Sequence, residues 1–380
     1  MSNAILLAPG PVQLHPEVQK ILAQAMIHHR TPEFDAILKR VLLNLKFFFQ
    51  TENPVFMHTS TGSGGLESLL VNLLSKNDEV LAIVSGKFGE RWADMAESFG
   101  AKVHRHQVSW GKAVSVSEID SFLQKNKNIK LVLCQACETS TATMHDIKAL
   151  GEMIAKTPAL FLVDGITAVG AYEIKMDEWH IDGLVAGSQK AVMLPTGLSF
   201  VSLSKKAWKI SEQANTPRFY FDLRKEFKAN QNGETLFSSS VPLVKALDFI
   251  LNRIQEIGLK KHFKQLKRRA DFTREIAKQL KLSLYSSSPS DSVTALNVPA
   301  NIDGVKLREH LEKKYFVTIM GGQDQAKGKI IRIGHMGYIL DEHLTETMHR
   351  LAQALKDFSY DINPEEIKNI STNWLEANPI

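Results

Sequence analysis

The residues of this chain that could do chemistry sit at the ends of apolar runs. The run Gly183–Ala186 leads into Gly187-Ser188-Gln189-Lys190. A lysine placed after a strand and small side chains can lie in a partly desolvated site. Desolvation disfavours the ammonium form, lowers the pKa and frees the amine to attack an aldehyde. The run Leu160–Val163 ends in Asp164. A carboxylate there is costly to bury unpaired, so it calls for a cation or a strong donor. Two roles suit it: capping the turn at Ile166–Val169, or meeting a protonated pyridine nitrogen.

Three more run ends supply binding groups. Val55–His58 is followed by Thr59-Ser60-Thr61-Gly62-Ser63-Gly64-Gly65-Leu66-Glu67. Glycines and hydroxyls at a helix N-terminus cradle anions, because N–H groups point outward and the helix dipole favours negative charge. No Gly-Lys-Ser/Thr follows, and the third glycine of a dinucleotide fingerprint is missing. Glu79–Val84 is followed by Ser85-Gly86-Lys87-Phe88-Gly89. Phe88 either packs in the core or stacks on a flat ring. Lys130–Cys134 is followed by Ala136-Cys137-Glu138-Thr139-Ser140-Thr141, whose hydroxyls can serve a ligand. Cys134 and Cys137 lack the further ligands that zinc needs, and Cys134 sits inside an apolar strand rather than opening a helix. Both read as buried structural cysteines, and no metal site is expected.

Each signal is weak alone. Together, one sheet offers a phosphate cradle, an aromatic plate, hydroxyls, an acid and a lysine. Pyridoxal 5'-phosphate (PLP) chemistry needs these parts: a lysine imine, an acid on the pyridinium nitrogen, a phosphate site and a face to stack on.

The elements that must position these residues alternate. Strands are expected at Val55–His58, Glu79–Val84, Lys102–His106, Lys130–Cys134, Leu160–Val163, Gly183–Ala186 and Phe200–Leu203. Helical patterns lie between most of them, at Leu66–Leu74, Glu90–Phe99, Val116–Lys125 and Asp146–Lys156. Such alternation predicts an α/β fold with a mainly parallel seven-stranded sheet covered on both faces, where ligands collect at the carboxyl ends of the strands. Gln13–Phe49 reads as mostly helical, and Val241–Lys281 as a long helical region. Short strands near Val293–Val298, Thr318–Met320 and Ile330–Ile333, with helices at Gly304–Lys313 and Asp341–Phe358, read as a smaller C-terminal α+β domain. The expected division is residues 1–15 as a segment joining the small domain, 16–260 as the large domain and 261–380 as the small one. Asp361–Ile380 reads as a polar tail.

Composition narrows the class. The chain has 380 residues, 44% of them hydrophobic, and a net charge of +5. The basic stretches Lys260–Arg269 and Leu223–Lys228 read as solvated helix faces rather than a nucleic-acid surface. No stretch approaches the ~20 apolar residues of a membrane span. The N-terminus has no signal-peptide pattern, and two cysteines make no disulfide framework. The expectation is a cytoplasmic protein without nucleic-acid or membrane partners.

The sequence resembles class V aminotransferases of PLP fold type I, in the alanine–glyoxylate / serine–pyruvate aminotransferase group. The resemblance runs from Leu6-Leu7-Ala8-Pro9-Gly10-Pro11 to about Leu355. Its most specific parts are His28–Phe34, Gly187-Ser188-Gln189-Lys190 and Lys327–His335. It implies that Lys190 carries the cofactor and shuttles the proton, and that Asp164 pairs with the ring nitrogen. Phe88 stacks on the ring, where many relatives carry Trp. Thr61, Gly62, Ser63 and Gln189 hold the phosphate, and Thr139 reaches the ring substituents. Arg332 takes the substrate carboxylate. A second subunit of a homodimer completes the phosphate site through Phe237–Pro242, where Phe237 replaces the usual Tyr and Ser240 the usual Thr. Some relatives are named as a soluble hydrogenase subunit, but two cysteines on one strand cannot ligate a nickel–iron centre.

The expected reaction is ping-pong transamination between a small amino acid, alanine or serine, and a small 2-oxo acid, glyoxylate or pyruvate. The alternatives are another class V PLP enzyme, lyase or desulfurase-like, and a non-enzymatic subunit of a larger complex.

Overall fold

The computed structural model describes residues 4–379. Its main sheet has seven strands: β1 (Val55–His58), β2 (Glu79–Val84), β3 (Lys102–Gln107), β4 (Ile129–Gln135), β5 (Leu160–Asp164), β6 (Gly183–Gly187) and β7 (Ser199–Leu203). They lie in the order β1-β7-β6-β5-β4-β2-β3. The pairs β3–β2, β2–β4, β4–β5 and β5–β6 are parallel. Strand β7 runs antiparallel to both its neighbours.

Burial explains the apolar runs. All five residues of β5 and all five of β6 are buried. Along β5 the side chains alternate between two cores. Phe161 and Val163 join a cluster with Leu38, Leu184 and Leu247 on one face. Leu160 and Leu162 join Leu66, Val80 and Val185 on the other. A strand covered on both sides has no polar face, which is why its sequence reads as a continuous apolar run. The edge strand β3, Lys-Val-His-Arg-His-Gln, is polar and only partly buried, as a sheet edge exposed to solvent requires.

A third core holds the C-terminal part. Strands β8 (Val293–Asn297), β9 (Met320–Gly321) and β10 (Ile330–Gly334) form an antiparallel sheet with β10 in the middle. Its cluster joins Leu296, Ile331 and Ile333 to Phe272, Leu344 and Leu351. Ile5–Leu6 pairs in parallel with Val317–Thr318 beside this core.

Several expectations need correction. The helical stretch Gln13–Phe49 is two helices, Pro16–Leu22 and Pro32–Phe49, separated by a loop. The second starts at the Thr31 cap, whose hydroxyl accepts from Phe34 N–H, with Pro32 in the first turn. The long region after Val241 is also two helices, Val241–Ile257 and Leu259–Gln279, split at Gly258, whose φ of 81° favours glycine. The strand expected at Thr318–Met320 is two short strands with different partners. The C-terminal tail is a helix, Pro364–Ala377, whose Ile367 and Leu375 are buried in the third core. Neither basic stretch is a purely solvated face. His262, Leu266 and Arg268 are buried in one, Leu223 and Glu226 in the other. Arg268 is held bidentate by Asp341 at 2.7 and 2.8 Å.

Candidate active site

The parallel topology brings strand ends that are far apart in sequence into one cavity. Its lining includes Thr61, Gly62, Ser63, Phe88, Thr139, Asp164, Gln189 and Lys190, joined by Arg91, Ile166 and Thr167. Asp164 ends β5 and Lys190 follows β6, the neighbouring parallel strand, where Asp164 pairs with Val185.

The Lys190 amine donates to the Pro9 carbonyl at 2.8 Å. Burial lowers its pKa to about 8, against the opposing pull of Asp164. Gly10 is required beside it. A Cβ at that position would lie 2.7 Å from Lys190 Nζ, and its φ of 126° is one that L side chains rarely adopt. Asp164 is 7% exposed. Its Oδ1 accepts the Ile166 N–H at 2.9 Å, yet burial still raises its pKa to about 6. Both turn-cap and ring-nitrogen roles remain compatible with that geometry, because a carboxylate has two oxygens.

The start of the Gly62–Leu73 helix lines the same cavity. The N–H groups of Gly64 and Gly65 close on the Thr61 carbonyl at 2.9 and 3.3 Å. The Thr61 side chain makes no cap bond. Gly62 and Ser63 precede the first intrahelical bond and line the cavity, so their N–H groups lack a partner within the helix, as at any helix end suited to an anion. Gln189 Oε1 is buried without a hydrogen-bond partner among the described residues. An orphaned acceptor of this kind is costly unless a ligand or water satisfies it.

Phe88 reaches the cavity through a turn fixed by a residue that sequence reading passed over. Glu138 is fully buried and accepts from the backbone N–H groups of Phe88 and Gly89 at 3.1 and 3.0 Å. Its other oxygen accepts from Ser140 N–H and hydroxyl at 3.0 and 2.5 Å. Burial raises the Glu138 pKa, and these four donors oppose that shift. The only sequence cue was an acid at the head of a hydroxyl run. The Arg91 guanidinium lies 4.9 Å from the Phe88 ring centroid. Thr167, also passed over, meets Thr139 hydroxyl to hydroxyl at 2.7 Å.

Arg332 projects from the middle of β10 and is 5% exposed. Its Nη1 donates to the Thr139 carbonyl at 2.8 Å and its Nε to Gly321 at 3.0 Å. Burial lowers its pKa to about 10. The guanidinium therefore stands beside the Thr139 wall of the cavity. Ser240 is not brought there within one chain. It caps the Val241–Ile257 helix, next to a separate cleft lined by Tyr220, Phe237 and Ser239.

Cys134 and Cys137 are free and buried. Burial pushes both thiols up, Cys137 to about 11. Among the described residues no group of three or more His, Cys, Asp or Glu is placed to hold a metal ion.

A desolvated amine, a buried acid and a helix N-terminus thus line one cavity at the carboxyl ends of a mainly parallel sheet. The family model Aminotransferase class-V matches residues 13–338, and the chain belongs to that family. It is 35% identical over 344 residues to an L-aspartate–glyoxylate aminotransferase of Paracoccus denitrificans, covering 88% of this chain and 87% of that protein. It is 31% identical over 388 residues to a serine–glyoxylate aminotransferase of Methylorubrum extorquens, covering 99% and 96%. Among solved structures, an alanine–glyoxylate aminotransferase from Nostoc sp. superposes with a TM-score of 0.90 at 26% identity, covering 93% of this chain and 96% of that one.

Proposed function

We propose that this aminotransferase moves an amino group from alanine or serine to glyoxylate or pyruvate, with PLP as cofactor. One observation carries the reading: the lowered-pKa amine of Lys190 and the buried carboxylate of Asp164 line one cavity with the open helix end at Gly62. Glyoxylate recurs in the names of relatives whose amino donors differ, which supports it as acceptor.

When bound, PLP supplies an electron-poor ring that takes up the electron pair released at the substrate Cα. The remaining work falls to the chain. Thr61, Gly62, Ser63 and Gln189 hold the phosphate, the last through the N–H donors of its side-chain amide. Asp164 keeps the ring nitrogen protonated, an ion pair that repays its own burial. Phe88 covers one face of the ring, on the turn that Glu138 fixes, and Thr139 reaches the ring substituents. Lys190 takes the Cα proton and returns it one position away. Arg332 grips the substrate carboxylate with its planar fork. Donor and acceptor use the same site in turn, which gives ping-pong kinetics.

The active form is a homodimer in which Ser240 and Phe237 of a second copy close the phosphate site. Phe219 is 75% exposed, and Phe237 stacks on Tyr220 at 4.8 Å beside it; this aromatic surface supports a partner there. The chain divides at residues 1–15, 16–260 and 261–380, and it works in the cytoplasm. No described helix is long and apolar enough to cross a membrane. A desulfurase reading needs a mobile thiolate, and both cysteines are buried with raised pKa values.

Pairwise assays of alanine, serine and aspartate against glyoxylate and pyruvate test the reaction. Alanine or serine with glyoxylate should give the highest kcat/KM. Absence of turnover with every pair would overturn the reading.

A further inference from the structure

A second cavity lies behind the Lys190 turn, where the two long helices meet the loop after β10. Its volume is about 190 Å³, and His15, Met193, Arg253, His262, Arg269 and Tyr338 contribute to its walls. That is roughly six water volumes, room for a small ion but not for a nucleotide. The walls carry two arginines and two histidines and no carboxylate.

The polar groups here are under-used. Among the described residues Arg253 makes no hydrogen bond and no ion pair. Arg269 donates to the carbonyls of His335, Gly337 and Ile339 at 3.0, 3.1 and 2.9 Å, and no carboxylate stands at ion-pair distance from it. His15 Nδ1 accepts the Glu17 N–H at 3.1 Å, which leaves its Nε2 as the donor of a neutral ring. His262 is 6% exposed, and its Nε2 is buried without a partner. The Gly170 carbonyl engages the ring, and burial with nearby Arg269 lowers its pKa to about 4. The ring is therefore neutral, and the unpaired Nε2 presents a lone pair.

Among the described residues neither arginine is ion-paired, since Asp341 engages Arg268 and acts on Arg269 only at longer range, and two such cations on one cavity wall suit an anion. A neutral imidazole lone pair calls for a hydroxyl. We infer that this cavity binds a small oxyanion that also carries an O–H group: hydrogen phosphate, or a 2-hydroxy carboxylate. Arg253 and Arg269 take the ionised oxygens, His15 donates a hydrogen bond, and His262 Nε2 accepts the hydroxyl. Ala191 and Met193 of the Lys190 turn form one wall, and the loop that Arg269 holds follows Arg332. An ion here touches segments attached to both halves of the active site, so its binding should also change turnover. The inference does not depend on the proposed donor or acceptor.

Calorimetric titration of the cofactor-loaded enzyme tests it, since the helix end at Gly62 is then already filled. Inorganic phosphate and lactate are the two probes, and sulfate, which carries no hydroxyl at neutral pH, is the comparison. Phosphate or lactate should bind at least fivefold more tightly than sulfate. Binding of phosphate alone that Arg253→Ala weakens assigns the site to the free ion, and binding of lactate alone that Arg253→Ala weakens assigns it to a hydroxy acid, since lactate held at Arg332 would not respond to that variant. Arg253→Ala, at an exposed position, should weaken the binding at least tenfold, whereas Arg308→Ala on a distant helix should not. His262→Asn should remove the preference over sulfate. Failure of both probes to bind, equal binding of sulfate, or an Arg253→Ala variant that binds as wild type would overturn the inference.

Discussion

The Asp164–Lys190 region of the cavity and the strand that carries Arg332 are built on different cores. Asp164 and Lys190 leave adjacent strands of the main sheet, buried between two apolar layers. Arg332 sits at the centre of a three-stranded antiparallel sheet, opposite Ala295 and Met320, over a separate core. The acid and the amine are thus held at a spacing set by strand pairing. The guanidinium meets the cavity wall through its bond to the Thr139 carbonyl, and its Nε is held by the Gly321 carbonyl. On the proposed roles the difference teaches a division of labour: the groups that would keep register with a cofactor share one rigid sheet, while the group that would meet a changing substrate comes from elsewhere.

Removing Lys190 should have the largest effect. Its amine is the one lowered-pKa lysine lining the cavity. Lys190→Ala should cut turnover on the order of 10⁴-fold, the upper range for loss of a proton-transfer group. Borohydride should fix the cofactor to Lys190, and peptide mapping that finds it on another lysine would reject the assignment. The pH dependence sharpens this. With a pKa of about 8, the free amine grows about tenfold from pH 6 to pH 7, and stopped-flow capture of PLP by cofactor-free enzyme should rise alike and level off above pH 8.

Asp164→Asn comes next. The carboxylate is already burdened by burial, with a pKa near 6 that a cationic partner would bring down. Its loss should lower kcat by about 10²–10³-fold, in line with removal of one preorganised electrostatic group. Far-ultraviolet circular dichroism should stay unchanged. Near-normal kcat would break the comparison at its rigid half.

Arg332→Lys should act on substrate and spare the cofactor. A lysine cannot reproduce the fork, and the lost contact is worth about 2 kcal/mol, or roughly thirtyfold in KM for every amino donor. The PLP absorbance should survive. A variant that loses PLP and keeps its donor KM would move Arg332 into the phosphate site.

Ser240→Ala is the mildest test. Ser240 makes no cap bond to its own helix, so the hydroxyl is free for a partner. PLP affinity should fall by a few-fold, the loss of one hydrogen bond of about 1 kcal/mol. Light scattering should report a dimer for both forms. A fully active monomer would leave the second-copy contact without support.

The buried strands of the main sheet were legible because burial on both faces demands unbroken apolar runs, and a parallel sheet then places the next residue at a ligand. Phe88, Thr139, Asp164 and Lys190, which line one cavity, were singled out this way. The fate of the basic helix Leu259–Gln279 was not legible. Charged residues read as solvated, yet Arg268 is buried because Asp341, far along the chain, neutralises it. The helix Pro364–Ala377 was hidden for a similar reason. Its apolar positions are few, and only packing against the third core makes them a face.

The sequence by itself determined the strand–helix alternation, the strand ends and the chemical types standing there, since each follows from local burial and residue chemistry. Only the tertiary structure decided that Pro9 would meet Lys190, that Glu138 would hold the Phe88 turn, and that Arg332 would reach the Thr139 wall. Those contacts join segments far apart along the chain. Their partners are backbone carbonyls and amides, which every residue carries, so no side-chain pattern could announce them.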